Sequence, residues 1–387
     1  MRSPTLSLAR RMDRVKPFLA MDVLAAAAAK ERQGGSVVHT EVGQPSAPAP
    51  RAAREAARAA LETGRIGYTE ALGIAPLRER IARHYRDTYG VAVAPERVIV
   101  TTGSSAGFVL AFLSLFDAGD RVAITAPGYP AYRNILEALD LAPAAIPLTA
   151  AEGWRLSAEA VVREQREKPL RGVLAMSPAN PSGTMIDRAA LARLGETCRA
   201  QGLWFVSDEI YHGLTYAEPA ATALAFDDDA VVINSFSKYY CMTGWRIGWI
   251  VVPERLVRPI ERLAQNLYIS PPYLSQVAAL AAFDATEELE AVKAGYARNR
   301  ALLLEELPRI GLDRMHPADG AFYLYADVAR FTNDSIGFCR RMLDEAGVAA
   351  TPGLDFDPQE GSHYVRFSFA GSEEDCREAV RRLKGWL

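Results

Sequence analysis

Between Arg97 and Val252, short β-branched runs alternate with longer stretches of helical periodicity. VIVT (Val98–Thr101), RVAIT (Arg121–Thr125), GVLAM (Gly172–Met176), LWFVS (Leu203–Ser207) and VVIN (Val231–Asn234) predict strands. Ser105–Phe116, Pro130–Leu139 and Arg188–Gln201 predict helices between them. Near-continuous apolar strands alternating with helices predict a parallel sheet covered on both faces. RIGWIVV (Arg246–Val252) follows the last run too closely for a helical crossover, so the spacing predicts an antiparallel partner.

Beyond Pro253 a helical pattern continues to Leu307. The remainder mixes strands (FYLYADV, YVRFSFA) with helices (Ser335–Ala346, Glu373–Trp386), which predicts a smaller α+β unit. Residues 1–45 lack strand–helix alternation; a helix over Asp22–Glu31 is expected, packed with that smaller unit. The expected division is therefore a large domain, 46–285, and a second made of 1–45 with 286–387. There is no internal repeat, and the low-complexity signal is confined to PSAPAP (Pro45–Pro50).

At 387 residues, 49% hydrophobic and 24% charged, the composition is that of a soluble globular protein with a sizeable core. A net charge of −3 gives no electrostatic reason to expect nucleic acid or an anionic membrane as partner. The four cysteines (Cys198, Cys241, Cys339, Cys376) lie far apart with no C-x-x-C pair. That predicts reduced thiols in a cytoplasm, without a disulfide framework or zinc site. The scattered histidines read as surface or satisfied core residues, and no metal site is expected. The N-terminus mimics a secretory leader, but Asp22 interrupts its apolar run, and an amphipathic helix is the expected reading. No stretch approaches the ~20 apolar residues of a membrane span.

Chemistry-bearing residues gather at the ends of the predicted strands, where ligands bind in open α/β sheets. TTGSSAGF (Thr101–Phe108) opens a helix with small residues, and free N–H groups at a helix start suit a phosphate. It has no P-loop lysine and no G-x-G-x-x-G, which disfavours nucleotide binding. APGYPAY places Tyr129 past the next strand, where its face could cover a flat ring. SPANPSGT offers Asn180 as a side-chain donor, before a proline bond that is a candidate for the cis form. SDEIYHG puts Asp208 and Tyr211 at another strand end, and a buried carboxylate there needs a cation. NSFSKYYCMTGWRIGW (Asn234–Trp249) adds Ser235, Ser237, Lys238 and Arg246. Each feature alone has an ordinary structural explanation. Together they match pyridoxal 5′-phosphate, whose aldehyde condenses with an amine, whose ring nitrogen needs an acid and whose phosphate needs donors.

With SFSK-YYC-MTGWR-IG, ANPSGT and SDEIY on one chain, the sequence resembles the class I/II, fold-type-I aminotransferases. The resemblance extends through EVGQP, GRIGYTEALGIAPLRERIA, GAFYLY and YVRFSFA, almost the whole chain. It implies an aspartate-aminotransferase-like fold, with a mostly parallel seven-stranded sheet between helices and a smaller α+β domain. Residue by residue, it implies an aldimine on Lys238 and Asp208 on the pyridine N–H. Asn180 and Tyr211 would bond the ring's phenolic oxygen, and Tyr129 would stack on the ring. Ser104, Ser105, Ala106, Ser235 and Arg246 would hold the phosphate, with Tyr68 reaching it from a second subunit of a homodimer. Arg366 would clamp the substrate α-carboxylate, helped by the Gly43 backbone. The sequence departs from the pattern at Ser177, where many relatives carry asparagine. GSSAG also lacks the glutamine or lysine common there.

The implied reaction is ping-pong transfer of an α-amino group from an L-amino acid to a 2-oxo acid, with Lys238 as anchor and then proton carrier. A carbon–sulfur β-lyase or other elimination enzyme on the same fold is the alternative that residues around Lys238 do not separate. A ligand-sensing regulator would need a DNA-binding module, and none is visible. Ser105, uncharged where some aspartate-specific relatives carry lysine, predicts neutral or aromatic donors.

Overall fold

The computed structural model describes residues 6–387; Met1–Thr5, which open the leader-like stretch and the 1–45 unit, lie outside the described residues. In chain order the strands are β1 (Val38–His39), β2 (Val98–Thr101), β3 (Arg121–Ala126), β4 (Ala142–Pro147), β5 (Gly172–Met176), β6 (Trp204–Asp208), β7 (Val231–Ser235), β8 (Gly248–Val251), β9 (Tyr323–Asp327), β10 (Val348–Ala349), β11 (Thr351–Pro352) and β12 (Tyr364–Ser368). The α-helices are α1 (Leu19–Arg32), α2 (Arg51–Glu62), α3 (Ala75–Tyr89), α4 (Gly103–Leu115), α5 (Pro130–Ala138), α6 (Ala158–Glu167), α7 (Arg188–Ala200), α8 (Glu254–Leu267), α9 (Tyr273–Ala282), α10 (Thr286–Arg309), α11 (Ser335–Arg341) and α12 (Glu373–Trp386).

The main sheet has seven strands in the order β2-β8-β7-β6-β5-β3-β4. Pairs among β3 to β7 are parallel, whereas β8 runs antiparallel to both β7 and β2, as its short connection requires. Every residue of β2, β5, β7 and β8 is buried, which is why these runs read as apolar without alternation. Helix α4, apolar on all sides, packs against β7 and β8.

Two elements differ from the sequence pattern. Strand β4, APAAIP, escapes it because only Ile146 is β-branched. It lies on the sheet edge, where Pro143 and Pro147 are tolerated. The helical pattern after Pro253 is three helices; Pro271 and Pro272, which lack N–H donors and disfavour helix before them, make the first of the two breaks.

Strands β11, β12 and β9 form a small antiparallel sheet, with Arg366 of β12 opposite Thr351 and Tyr325. Strand β1 pairs with β10, which ties the N-terminal segment to the C-terminal elements. Helices α6, α7 and α12 are capped by Ser157, Asp187 and Ser372. The residue before α4, Thr102, makes no side-chain cap bond, so the N–H groups opening this helix stay available.

Candidate active site

A cavity of about 230 Å³ opens at the C-terminal ends of the parallel strands, between the main sheet and β12. The sequence-predicted residues Gly43, Ser104, Ser105, Tyr129, Asn180, Asp208, Tyr211, Lys238, Arg246 and Arg366 all line it. They come from segments spread over more than 300 residues; the strand ends of the main sheet gather most of them, and the Gly43 loop and β12 close the other side.

Asp208 ends β6 and is 2% exposed. One carboxylate oxygen accepts from Tyr132, and the other accepts from the Ile210 N–H at 3.0 Å. Burial pushes its pKa up to about 6, against the lowering effects of those two donors and of Lys238. Lys238 donates to the Gly43 carbonyl. Burial, and next the positive charges of Arg366 and Arg246, bring its pKa down to about 8, with Asp208 opposing. An amine so placed is substantially neutral near pH 8, which suits a nucleophile and proton carrier.

The uncapped start of α4 faces the cavity through Ser104 and Ser105. Arg246, at φ 50°, reaches the same turn and donates to the Thr243 carbonyl at 3.1 Å. Gly103, at φ +73°, is required here, because an added Cβ would sit 2.5 Å from Arg246 Nη2. Dipole, N–H groups and guanidinium together make an anion site.

Arg366 is 2% exposed yet has no carboxylate partner among the described residues. Its Nη1 donates to Asn180 Oδ1 at 2.9 Å, and Nη2 donates to the Glu41 carbonyl and, at 3.2 Å, to Thr351 Oγ1. Nε has no hydrogen-bond partner. The guanidinium lies over the Tyr323 ring at 4.3 Å and the Phe356 ring at 4.8 Å, so aromatic faces take the place of a counter-ion. A buried guanidinium held in this way is suited to a carboxylate supplied by a ligand.

Asn180 precedes a cis proline bond, as do Ser177 and Ala126. Tyr211 shares a 2.6 Å hydroxyl contact with Tyr323. Tyr129 is held edge-on between Phe18 at 5.8 Å and Tyr132 at 5.3 Å. Ser177 Oγ accepts from the Ile186 N–H at 3.0 Å, so it serves the turn rather than the cavity.

Three predicted residues lie off the cavity lining in this chain. Ala106 is buried within α4. Ser235 is buried and bonded to Ser237 Oγ at 2.8 Å and the Ile247 carbonyl at 3.0 Å; Ser237 lines the cavity instead. Tyr68 is 83% exposed. Sequence reasoning missed Tyr132, Tyr323, Phe18 and Met21. Tyr132 carried a usable signal, since it stands three residues after Tyr129, the spacing that aligns side chains on a helix face. Among the described residues, no group of three or more His, Cys, Asp or Glu could hold a metal ion.

A doubly covered α/β sheet whose strand ends, together with Arg366 from the small sheet, gather a lysine, a carboxylate and two guanidinium groups without carboxylate partners defines a pocket suited to small anionic molecules. The family model described as aminotransferase class I and II matches residues 37–383. A valine–pyruvate aminotransferase of Mycobacterium tuberculosis is 50% identical over 96% of this chain and 97% of its own length. A solved aminotransferase from the same organism superposes with a TM-score of 0.96 at 50% identity, covering 99% of both chains. The aspartate aminotransferase of Thermus thermophilus, solved with maleate, superposes with a TM-score of 0.93 at 31% identity, covering 99% of this chain and 100% of that one. This chain belongs to the class I and II aminotransferases, and it moves an amino group from an amino acid to a 2-oxo acid.

Proposed function

We propose that the enzyme uses pyridoxal 5′-phosphate, anchored at Lys238, to transfer the amino group of a neutral L-amino acid to a 2-oxo acid. The observation that carries this reading is the charge imbalance of the cavity. Lys238, Arg246 and Arg366 face it, and Asp208 is the only carboxylate lining it among the described residues. None of the three cations bonds a carboxylate; their acceptors are backbone carbonyls, an amide oxygen and a hydroxyl. A phosphate dianion and an α-carboxylate would supply the missing negative charge. The orphaned Nε of Arg366 and the uncapped start of α4 fit the same pair of ligand groups.

In this reading Ser104, Ser105, Ala106 and Arg246 hold the phosphate, with Ser235 supporting them through Ser237. Tyr129 covers one ring face, Asn180 and Tyr211 bond the ring oxygen, and Asp208 keeps the ring nitrogen protonated. Bound there, the cofactor supplies an electron sink that makes the substrate Cα acidic. Arg366, with the Gly43 backbone beside it, fixes the α-carboxylate and so orients the Cα–H. Lys238, with its depressed pKa, would take the proton from Cα and hold it for return on the same face. Asp208 stays ionised beside the cationic ring, whose charge offsets the burial that raises its pKa in the free chain.

With Arg366 on the α-carboxylate, Arg246 on the phosphate and Lys238 carrying the proton, no cavity-lining cation among the described residues remains for an acidic side chain. Valine, the donor named for the mycobacterial relative, is therefore the first substrate to test, with pyruvate as acceptor. The reading further takes the chain as two domains, 46–285 and 1–45 with 286–387. It also takes the enzyme as a homodimer in which Tyr68 reaches the neighbour's phosphate. Four buried, unpaired cysteines are consistent with a cytoplasmic setting. No helix among the described residues is long and apolar enough to cross a membrane.

Borohydride treatment of the holoenzyme followed by peptide mapping tests the anchor. The cofactor is expected on the Lys238 peptide, and Lys238→Ala should lose both labelling and turnover. Labelling at another lysine would overturn the assignment.

A further inference from the structure

The N-terminal arm that leads into α1 borders the cavity at Phe18, Ala20 and Met21 and is fastened on two sides. On one side, the first two N–H groups of α1, Leu19 and Ala20, donate to the two carboxylate oxygens of Asp355 at 3.0 and 3.1 Å. Phe18, at the cap position, provides no side-chain cap, so Asp355 supplies it from a turn more than 300 residues away. A carboxylate there also meets the positive end of the helix dipole. On the other side, the Lys16 N–H donates to Asn134 Oδ1 and the Asn134 amide donates to the Lys16 carbonyl, both at 3.1 Å. Arg11 and Arg14 pair with Asp140 close by.

Between these fastenings and just beyond them, Phe18, Ala20 and Met21 line the cavity. Asp355 itself does not line it; the residue is 2% exposed and both its oxygens are committed to amides. Its charge is also felt by Arg366, but that guanidinium meets every donor's α-carboxylate alike, so an effect of Asp355 on the choice between donor side chains must pass through the arm.

Resting on the neutral-donor reading above, we propose that Asp355 is a specificity-positioning residue that holds Phe18 and Met21 as an apolar wall for the donor side chain. A donor with a branched or extended apolar side chain gains from that wall; alanine, with one methyl group, gains little. Without the carboxylate, two helix-start amides lose their acceptors and the wall loosens.

The test compares alanine, valine and methionine in half-reactions of the wild-type holoenzyme and its variants. Asp355→Ala should lower the methionine-to-alanine ratio of kcat/KM about tenfold, through KM. Asp355→Asn keeps one acceptor oxygen and should recover part of that ratio. The double variant F18A/M21A should lower it as far as Asp355→Ala does. A second readout needs no turnover: amide exchange at residues 18–22, and trypsin cleavage at Arg10, Arg11 and Arg14, should quicken in Asp355→Ala. Should Asp355→Ala fail to fold, N134A/D140A frees the other side of the arm and must shift the same ratio. An unchanged ratio with faster exchange would overturn the specificity role, and unchanged exchange would overturn the fastening. A wild type that prefers charged donors would sink the neutral-donor reading, while exchange would still decide whether Asp355 holds the arm.

Discussion

Tyr132 donates its hydroxyl to the Asp208 carboxylate, and both groups are buried. The bond stabilises the ionised form of a carboxylate whose burial favours protonation. Tyr132 thus opposes desolvation at the residue proposed to keep the ring nitrogen charged. Replacing Tyr132 by Phe removes that donor, a loss of about 1.5–3 kcal/mol for a bond to a charged group. The half-reaction is expected to slow roughly tenfold to a hundredfold at pH 7. Its acidic limb should move to higher pH, because Asp208 then ionises less readily. A pH profile of kcat/KM identical in shape to that of the wild type would rule out this role for Tyr132.

Lys238 leads to a prediction about the cofactor-free protein. Its folded pKa of about 8 lies below the ordinary 10.5, so the folded chain binds that proton less tightly than the unfolded one. The destabilisation is full below about 8 and is relieved as pH rises toward 10.5. Asp208, raised from 3.8 to about 6, behaves oppositely: its destabilisation is full above about 6 and vanishes below 3.8. Lys238→Met should therefore be inactive yet more stable than the cofactor-free wild type at pH 7, by something on the order of 2 kcal/mol. The gap should narrow between pH 8 and 10. Urea unfolding midpoints at several pH values measure it, and a gap that widened with pH would contradict the argument.

The strands that carry the site were legible because a sheet buried on both faces must be apolar throughout, as VIVT and GVLAM are. Asp208 and Lys238 stood out because charges next to such runs need partners. Strand β4 was not legible, since edge position tolerates the prolines that its pattern shows. The wall made by Phe18 and Met21 was hidden for a different reason. Its placement depends on Asp355, and nothing local in MDVLAAAAAK reports a contact with a distant turn. Tyr132 was visible in APGYPAY, but its partner only emerges once β3 and β6 share a sheet.

Tyr68 stands largely in solvent on the isolated chain, near the half-exposed Ile66. The homodimer reading gives that side chain a partner's phosphate to bond. Light scattering should show a dimer, and Tyr68→Phe should weaken cofactor retention several-fold without separating the subunits. Mixing Tyr68→Phe with Lys238→Ala subunits should restore some sites that are wild type at both positions. A fully active monomer would refute the shared site.

The donor preference follows from how the positive charges are distributed. Arg366 is committed to an α-carboxylate and Arg246 to the phosphate, which leaves Ser105, uncharged and exposed, facing the cavity at the start of α4. Phe18, Met21, Phe108 and Ile210 complete the lining with apolar surface. A side-chain carboxylate entering there would shed water without gaining a cation, whereas valine or methionine would bury apolar area. Half-reaction kcat/KM is therefore expected to favour valine and methionine over aspartate by at least tenfold, about 1.4 kcal/mol. Ser105→Lys supplies the missing charge and should raise the aspartate-to-alanine ratio of kcat/KM, a ratio from which any change in phosphate binding, common to both donors, cancels. If the wild type instead favours aspartate tenfold, a cation from outside this chain's cavity completes the site, and the inference from Ser105 fails.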